Sequence, residues 1–223
     1  MSVRQEVIPF LLAVWCIAVL IVVIGLSLNT KTYTTVIIGI IVGVILSAYM
    51  LYFFRDPERV PPSDESLIVA GADGNIARIT EVKESKYLNC ETVRISIFLS
   101  LFDVHVNRSP ISGSSRFLGY FPGKRLFTFQ EKSSEVNQHN KILIEGEKTK
   151  CLVTQIVGPV CRRVVYWPDH ANAVQIKKGD RIGMMKFGSR LDMYFPKDDI
   201  EVMVKEGDKV RAGETVVARL KLK

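Results

Sequence analysis

Two long apolar runs near the N-terminus constrain the fold of this chain more than any other feature. The first, from Val7 to Leu28, has 22 residues without a charge, and the second, from Thr34 to Phe54, has 21. Each is long enough to cross about 30 Å of hydrocarbon as an α-helix. The connection between them is so short that the helices must run antiparallel. We therefore predict that residues 1–54 form a transmembrane helical hairpin, with helices over about 7–28 and 34–54.

The charges that flank the two runs predict the orientation of this hairpin. Arg4 precedes the first run and Arg55 and Arg59 follow the second, whereas the connection carries only Lys31. Positive residues near membrane spans favour the cytoplasmic side. Both ends of the hairpin, and with them everything after residue 54, are therefore expected on the cytoplasmic face of the cell membrane.

Two glycines in the second run, Gly39 and Gly43, stand four residues apart. This spacing lets helix backbones approach each other closely. Two interpretations stay open: the glycines form a seam between two copies of the chain, or they pack the hairpin against itself.

The rest of the chain is predicted to be mostly β. Residues 55–63 contain Pro57, Pro61 and Pro62 and are typical of an extended linker, so the body is expected to span 64–223. Short segments rich in Val, Ile, Phe and Thr alternate there with turn residues. They predict strands over 67–70, 76–82, 92–99, 115–121, 141–147, 150–157 and 193–195, whereas 158–167 fits a helix or a strand. The fold class expected is a β-sandwich or barrel-sandwich with few short helices.

Charge and cysteine usage narrow the classes of ligand. Beyond residue 54 there are 28 basic and 22 acidic residues, and a basic body beside a bilayer favours anionic lipid headgroups. The basic residues are scattered among acidic ones without an arginine-rich run, so no nucleic-acid partner is expected. Cys16, Cys90, Cys151 and Cys161 form no C-x-x-C pair, and no metal site is predicted.

An internal repeat suggests how the body is built. Residues 174–182 and 202–210 both read as a strand, a Gly-Asp turn and a second strand. Gly179 and Gly207 supply the positive φ that such turns require. The pattern indicates a pseudo-symmetric β-sandwich like that of biotinyl and lipoyl carrier domains. A carrier function would use Lys186 as acceptor, but the second methionine of a biotin hairpin and the acidic flank of a lipoyl hairpin are missing.

The pair Gly188-Ser189 follows that lysine, and by itself a Gly-Ser pair is weak evidence for chemistry. The G-x-S-x-G pattern of a nucleophile elbow is not met, because Leu191 replaces its second glycine. A serine hydrolase that uses Ser189 stays an alternative at this point.

Further motifs stand in order around this pair. Residues 70–74 read Ala-Gly-Ala-Asp-Gly, residues 98–110 read Phe-Leu-Ser-Leu-Phe-Asp-Val-His-Val-Asn-Arg-Ser-Pro, and residues 204–215 end the series. Together with Gly188-Ser189 they resemble the short form of the phosphatidylserine decarboxylase family over residues 52–223. The departures are modest: Gly71 and Leu101 stand where many relatives have proline, and Phe102 replaces the second histidine of the longer bacterial forms.

The resemblance implies a self-cleaving lyase that converts phosphatidylserine, or an archaetidylserine-like lipid, to the ethanolamine lipid. Loss of CO2 leaves a carbanion that no protein side chain delocalises, so an electron sink is needed. In the family the chain makes that sink itself. Cleavage between Gly188 and Ser189 would give chains 1–188 and 189–223, which stay together as a heterodimer, and Ser189 would become a pyruvoyl group. Neither pyridoxal phosphate nor a metal is then expected, while further dimerisation and the chemistry of the lipid tails are left open.

The resemblance also assigns the proton-transfer residues. His105 is expected to carry the proton, since the pKa of a free imidazole lies near neutrality. Asp73 is expected to hold that imidazole in the productive tautomer. The other two histidines, His139 and His170, lie in polar, loop-like stretches and are expected to be solvated.

Two arginines are candidates for binding the lipid headgroup. Arg108 and Arg190 could bind its phosphate or carboxylate through paired hydrogen bonds, and structural ion pairing is the alternative for both. The partners expected are therefore an anionic aminophospholipid and the membrane that contains it.

Overall fold

The structure is a computed structural model of the chain and describes residues 2–28, 32–128, 133–159, 164–186 and 189–221. The chain divides into two compact units, Met1–Glu58 and Arg59–Lys223.

The first unit is a helical hairpin. It consists of strand β1 (Ser2–Val3), one 3-10 turn (Gln5–Val7), helices α1 (Ile8–Ser27) and α2 (Thr32–Phe53), and strand β2 (Arg55–Asp56). β1 pairs antiparallel with β2, with Ser2 opposite Asp56, so the two ends of the hairpin lie together. The predicted pair of apolar helices is confirmed, and both are long and apolar enough to cross a membrane by length and composition.

The two helices contact each other at the glycines of α2. A Cβ atom added to Gly39 would lie 2.8 Å from Cγ2 of Val22, and one added to Gly43 would lie 3.1 Å from the ring of Trp15. A side chain at either position would push the helices apart. Of the two interpretations of these glycines, packing within the hairpin is the one that the structure shows.

The second unit is built from short strands and one described helical turn, which confirms the mostly-β prediction. Its elements are β3 (Leu67–Val69), β4 (Gly74–Glu84), β5 (Cys90–Leu99), β6 (Val106–Arg108), β7 (Gly113–Phe121), α3 (Ser133–Val136), β8 (His139–Glu145), β9 (Lys150–Val157), β10 (Val164–Tyr166), β11 (Val174–Ile176), β12 (Arg181–Met185), β13 (Ser189–Pro196), β14 (Ile200–Val202), β15 (Lys209–Val210) and β16 (Val216–Leu220).

These strands form three sheets. The largest is antiparallel and has eight strands in the order β11-β7-β8-β9-β13-β5-β4-β15, and two three-stranded sheets have the orders β10-β12-β6 and β14-β16-β3. Each of the seven strands predicted from residue patterns is present. The undecided segment 158–167 contributes β10, whereas β6 and β16 were not predicted, because each is short and carries no clear alternation.

The two faces of the large sheet differ in polarity. Successive side chains along a strand point to opposite faces. In β13, Leu191 and Met193 enter a hydrophobic cluster that also contains Ile68 of β3 and residues of β12 and β16. Arg190 and Asp192 point to the other face, where they are also buried. The three sheets therefore share a core on the Leu191 side, as expected for a sandwich.

The repeated Gly-Asp turns make matching contacts. Gly179 donates its N–H to the carbonyl of Ser109, and Ser109 donates its N–H to the carbonyl of Asp180, both at 2.8 Å. In the second turn, Gly207 donates to the carbonyl of Ile76, and Ile76 donates to the carbonyl of Asp208, also at 2.8 Å. Both glycines have positive φ, 82° and 93°. In neither copy do the two described strands pair with each other, since β11 lies beside β7 and β12 beside β6 and β10. Each repeat is therefore a bridge between sheets and not a hairpin.

Candidate active site

Ser189 is the first described residue of the central strand β13. Its neighbours across the sheet are Leu99 of β5 and Val157 of β9. The side chain is fully buried, and its Oγ has no hydrogen-bond partner among the described residues. Hydroxyl groups in protein interiors are normally bonded, so a buried hydroxyl without a described partner is unusual. The other half of the predicted cleavage site, Gly188, lies outside the residues that the structure describes.

His105 is fully buried in the turn between β5 and β6. Its Nδ1 lies 2.9 Å from the carbonyl oxygen of Asp103. A carbonyl oxygen only accepts hydrogen bonds, so Nδ1 carries a proton and Nε2 of the neutral ring is the basic nitrogen. The turn is held by the Asp103 carboxylate, which accepts bonds from the N–H and the hydroxyl of Ser100 at 2.9 and 2.7 Å. The backbone thus presents an imidazole in one tautomer.

Two backbone contacts connect the parts of the chain that carry His105 and Ser189. Leu99, which pairs with Ser189, precedes the histidine by six residues. On the other side, the N–H of Met185, four residues before Ser189, donates to the carbonyl of His105 at 3.2 Å. The chain just before His105 is therefore paired with Ser189, and His105 itself is hydrogen-bonded to the residue four positions before Ser189.

Asp73 lies just before β4, and its carboxylate is held by two donors. Oδ2 accepts a bond from Nη2 of Arg59 at 2.8 Å, and Oδ1 accepts the N–H of Ala212 at 2.8 Å. Gly74 sets this position, because its φ is +147° and an added Cβ would collide with the carbonyl of Phe98. These two bonds do not involve His105, and the role of Asp73 in orienting the imidazole stays a prediction.

Arg190 follows Ser189 but points to the opposite face of the sheet. Its Nε lies 2.7 Å from Oδ1 of Asp192, and its Nη2 donates to Oγ of Ser96 at 2.8 Å. The other carboxylate oxygen of Asp192 accepts a bond from Ser134 at 2.7 Å. The structure thus shows a buried ion pair for this arginine, and a contact with the lipid headgroup stays a prediction.

Arg108 is also buried, at the end of β6. Its Nη1 donates to the carbonyl of Gly179 at 2.8 Å, and its stem is packed so closely that a Cβ on Gly213 would lie 2.9 Å from Cδ. These contacts tie β6 to the first Gly-Asp turn. These contacts do not test whether Arg108 binds the lipid headgroup, which stays a prediction.

The remaining histidines differ from each other. The expectation of a solvated loop was wrong for His139, which begins β8, is half-buried and stacks on Phe121 with ring centroids 5.2 Å apart. Burial lowers the pKa of His139, because a buried cation loses its hydration. His170 is exposed, as expected, with Nε2 3.0 Å from the carbonyl of Tyr166.

Two features of the site escaped the sequence analysis. Arg59 was placed in a linker, yet it binds Asp73. Asn107 stands inside the motif around His105, yet its buried amide was not considered. An amide next to Val106 in a short strand was the signal available for Asn107, whereas nothing local links Arg59 to Asp73. Among the residues that the structure describes, no group of His, Cys, Asp or Glu side chains could hold a metal ion.

Comparison with known proteins shows which family the chain belongs to. The family model described as phosphatidylserine decarboxylase matches residues 46–218, which include Asp73, His105 and Ser189. The chain belongs to the phosphatidylserine decarboxylase family. The family predicted from the motifs is therefore confirmed, and it is a family of enzymes.

Curated members of the phosphatidylserine decarboxylase family are similar over most of their length. The chain is 43% identical over 177 residues to the phosphatidylserine decarboxylase proenzyme of Carboxydothermus hydrogenoformans, covering 79% of this chain and 82% of that protein. It is 46% identical over 176 residues to the proenzyme of Salinibacter ruber, covering 78% and 76%. With the proenzyme of Geotalea uraniireducens the identity is 38% over 196 residues, covering 84% and 90%.

Proposed function

We propose that this chain decarboxylates phosphatidylserine, or a lipid with the same headgroup on ether-linked tails, after cutting itself between Gly188 and Ser189. The observation that carries the proposal is a fully buried serine whose hydroxyl has no hydrogen-bond partner among the described residues, at the position that the family motif reserves for self-cleavage. The relatives are named proenzymes, which supports a precursor that is processed.

Self-cleavage is chemistry of the chain itself. The hydroxyl of Ser189 adds to the carbonyl carbon bonded to its own nitrogen, and the amide becomes an ester. Loss of the α-proton of residue 189 then expels the carboxylate of residue 188 and leaves dehydroalanine. Water replaces its nitrogen, which departs as ammonia, and a pyruvoyl group remains. Nε2 of His105 is the proposed base for the first step, because Nδ1 of this ring lies 2.9 Å from the Asp103 carbonyl.

The surroundings of residue 189 fit such a group. Position 189 lies between two apolar neighbours in the sheet, Leu99 and Val157, which help to keep water away from a reactive carbonyl. A pyruvoyl group bound there supplies a carbonyl that accepts the electrons released when CO2 leaves the substrate. His105 then delivers a proton to the carbon that lost CO2, while Arg108 and Arg190 are the proposed contacts of the headgroup.

The hairpin is proposed to anchor the enzyme where its substrate is. Helices α1 and α2 would cross the membrane, with residues 1–6 and 55–223 on the cytoplasmic side. A linker over 55–63 would precede the catalytic domain, 64–223, and the two cleavage products would remain together. An enzyme tethered in this way meets lipid substrate in two dimensions, which raises its effective concentration.

Intact-mass spectrometry of the full-length protein in detergent tests the proposal. The wild type is expected as two chains, the smaller holding 35 of 223 residues, or about 4 kDa of 25.1 kDa. That chain should be lighter by one ammonia than the same chain with N-terminal serine. Ser189→Ala should stay a single chain, because it lacks the hydroxyl that forms the ester. A wild type that is uncut yet decarboxylates phosphatidylserine in vesicles would overturn the proposal.

A further inference from the structure

Most exposed large apolar side chains of the second unit lie at one end of the large sheet. In the part of that unit that the structure describes, these side chains are Val60, Leu101, Phe102, Tyr120, Phe127 and Met203. Single apolar side chains on a protein surface are common and require no explanation. Several of them at one place, contributed by separate segments, indicate a surface that another molecule covers.

The register of the strands defines this end of the sheet. Ser189 begins β13 and pairs with Leu99, the last residue of β5. On its other side it pairs with Val157, the last residue of β9. β8 begins beside the end of β9 and opposite Phe121, the last residue of β7. The chain that follows β5 and the chain that follows β7 therefore both leave the sheet at the end where Ser189 lies.

The segment after β5 is a tight turn at which Leu101 is 45% and Phe102 66% exposed. The carboxylate of Asp103 accepts bonds from the N–H and the hydroxyl of Ser100 at 2.9 and 2.7 Å, and the N–H of Asp103 donates to the Ser100 carbonyl at 3.1 Å. The Asp103 carbonyl lies 2.9 Å from Nδ1 of His105. One hydrogen-bonded turn therefore holds two apolar side chains at the surface and the buried imidazole next to them in sequence.

The segment after β7 contains Phe127, which is 57% exposed. The amide side chain of Asn137 fixes the residue before it, accepting the N–H of Leu126 at 2.9 Å and donating to the Leu126 carbonyl at 2.7 Å. The same Nδ2 group donates to the carbonyl of Val157 at 2.9 Å. Val157 is one of the two sheet neighbours of Ser189, and the turn described above follows the other. The two apolar segments are thus fixed to the strands on either side of Ser189.

Basic side chains accompany the apolar ones. Lys124 and Arg125 are both exposed and precede Phe127 in the same segment. A surface that combines apolar and basic side chains fits a membrane that contains anionic lipids, because the apolar groups enter the boundary of the hydrocarbon and the cations meet the headgroups. The substrate of the phosphatidylserine decarboxylase family is such a lipid, which favours a bilayer over a protein partner at this end of the sheet.

We infer that Leu101, Phe102 and Phe127, here called the apolar rim, insert into the surface of the bilayer that contains the substrate, where Lys124 and Arg125 contact anionic headgroups. Moving acyl chains from a bilayer into water is costly, and a rim within the bilayer surface lets the headgroup enter without that step. The inference rests on the proposed function, because a bilayer lipid has to reach this end of the sheet only if it reacts at residue 189.

Quenching of tryptophan fluorescence by lipids with brominated acyl chains tests the contact without any need for activity. Phe102→Trp and Phe127→Trp are placed in full-length chains whose own tryptophans are replaced, Trp15→Phe and Trp167→Phe, and reconstituted into vesicles. Both should lose emission in brominated vesicles relative to unbrominated ones. Met203→Trp, at a 52% exposed position beside β14, is the control and should keep its emission. Unquenched emission at both rim positions overturns the inference and points to a protein partner instead.

A second measurement compares two forms of the substrate. Phe102→Ser and Phe127→Ser should each raise KM for phosphatidylserine in vesicles about threefold to tenfold, because a partly inserted Phe no longer leaves water. Their kcat/KM for water-soluble dihexanoyl phosphatidylserine should change far less, since that lipid requires no contact with a bilayer. Met203→Ser should match the wild type with both lipids. Equal losses with both lipids in the rim variants would assign Phe102 and Phe127 to the shape of the site and overturn the inference.

The basic residues have their own test. Adding phosphatidylglycerol to phosphatidylcholine vesicles should lower KM of the wild type, and the double variant Lys124→Gln, Arg125→Gln should lose about fivefold of that gain per charge. The two proposals fail in different ways. Quenching at the rim in a wild-type protein that neither cleaves nor decarboxylates would overturn the proposed function alone. A cleaved, active protein without quenching would overturn the membrane contact alone.

Discussion

The guanidinium of Arg59 lies 2.8 Å from the carboxylate of Asp73, and only 6% of one side chain and 11% of the other are exposed. Arg59 also donates to the carbonyl of Ala212 at 3.2 Å, while the N–H of Ala212 binds Asp73. The three residues thus form a closed set of contacts. They fasten the first residue of the second unit beside the start of β4, immediately next to a predicted catalytic group.

Arg59→Ala is expected to lower the free energy of unfolding by about 3 kcal/mol, because it leaves the buried Asp73 carboxylate without its counter-charge. Denaturant unfolding in detergent, on a Ser189→Ala background that prevents processing, measures this. Arg116→Ala removes an exposed arginine and should change the free energy by no more than about 0.5 kcal/mol. Equal effects of the two substitutions would contradict the buried ion pair.

His105→Ala should slow self-cleavage by about 10²–10⁴-fold, because it removes the group that carries the proton. The time course of precursor loss on a gel measures self-cleavage, and the CO2 released per mole of pyruvoyl measures decarboxylation. His170→Ala, on an exposed bend, is the control and should process normally. If His105→Ala matured like the wild type, His139 or His170 would have to replace it.

Asp73→Asn distinguishes orientation of the imidazole from stabilisation of the fold. Both Asp73→Asn and Arg59→Ala break the ion pair at 2.8 Å, but only the first alters a group proposed to act on His105. Self-cleavage should therefore be slower in Asp73→Asn than in Arg59→Ala. For scale, the same Asp-to-Asn change in a serine-protease triad lowers kcat about 10⁴-fold. Equal processing rates in the two variants would assign Asp73 a structural role alone.

Asp192→Asn should lower the free energy of unfolding by about 3–5 kcal/mol, because the Arg190 charge stays buried without its partner. The comparison is Glu81→Gln, whose ion pair with Lys197 has a similar length, 2.6 Å against 2.7 Å, but is 63% and 46% exposed. Exposed pairs contribute about 0–1 kcal/mol. Unfolding curves in the same detergent should show a much larger loss of free energy for Asp192→Asn than for Glu81→Gln. Equal losses would contradict the burial of Asp192.

His139 should make the fold less stable as the solution becomes more acidic. Burial lowers the pKa of His139 in the folded chain, below the value of about 6.5 in an unfolded one. Between those two pKa values the unfolded chain binds the extra proton, so the free energy of unfolding decreases as the pH is lowered, by at most about 1.4 kcal/mol per pH unit.

His139→Gln is expected to flatten this part of the stability profile, measured as melting midpoint against pH on the Ser189→Ala background. His170→Gln, at an exposed position, should leave the profile unchanged. A profile of His139→Gln that is as steep as the parent's would show that other groups cause the slope.

Local patterns in the sequence determined the elements of this protein. The hairpin follows from two uncharged runs joined by a short connection, because hydrocarbon accepts only helices whose backbone groups bond within the segment. Strands such as β5 and β9 follow from β-branched residues between turns. The order of the motifs around Asp73, His105 and Ser189 was enough to predict the family.

Only the tertiary structure decided which polar groups meet. Ser189 and Arg190 are neighbours in sequence but face opposite sides of β13. The Ser189 hydroxyl points toward the core and has no bond to any residue that the structure describes, whereas Arg190 forms an ion pair with Asp192. Arg59 reaches Asp73, and Gln155 reaches Asn107 across 48 residues. The periodicity of the sequence does not predict such pairs. The partner of a buried polar group depends on which residues the order and register of all the strands bring within hydrogen-bonding distance.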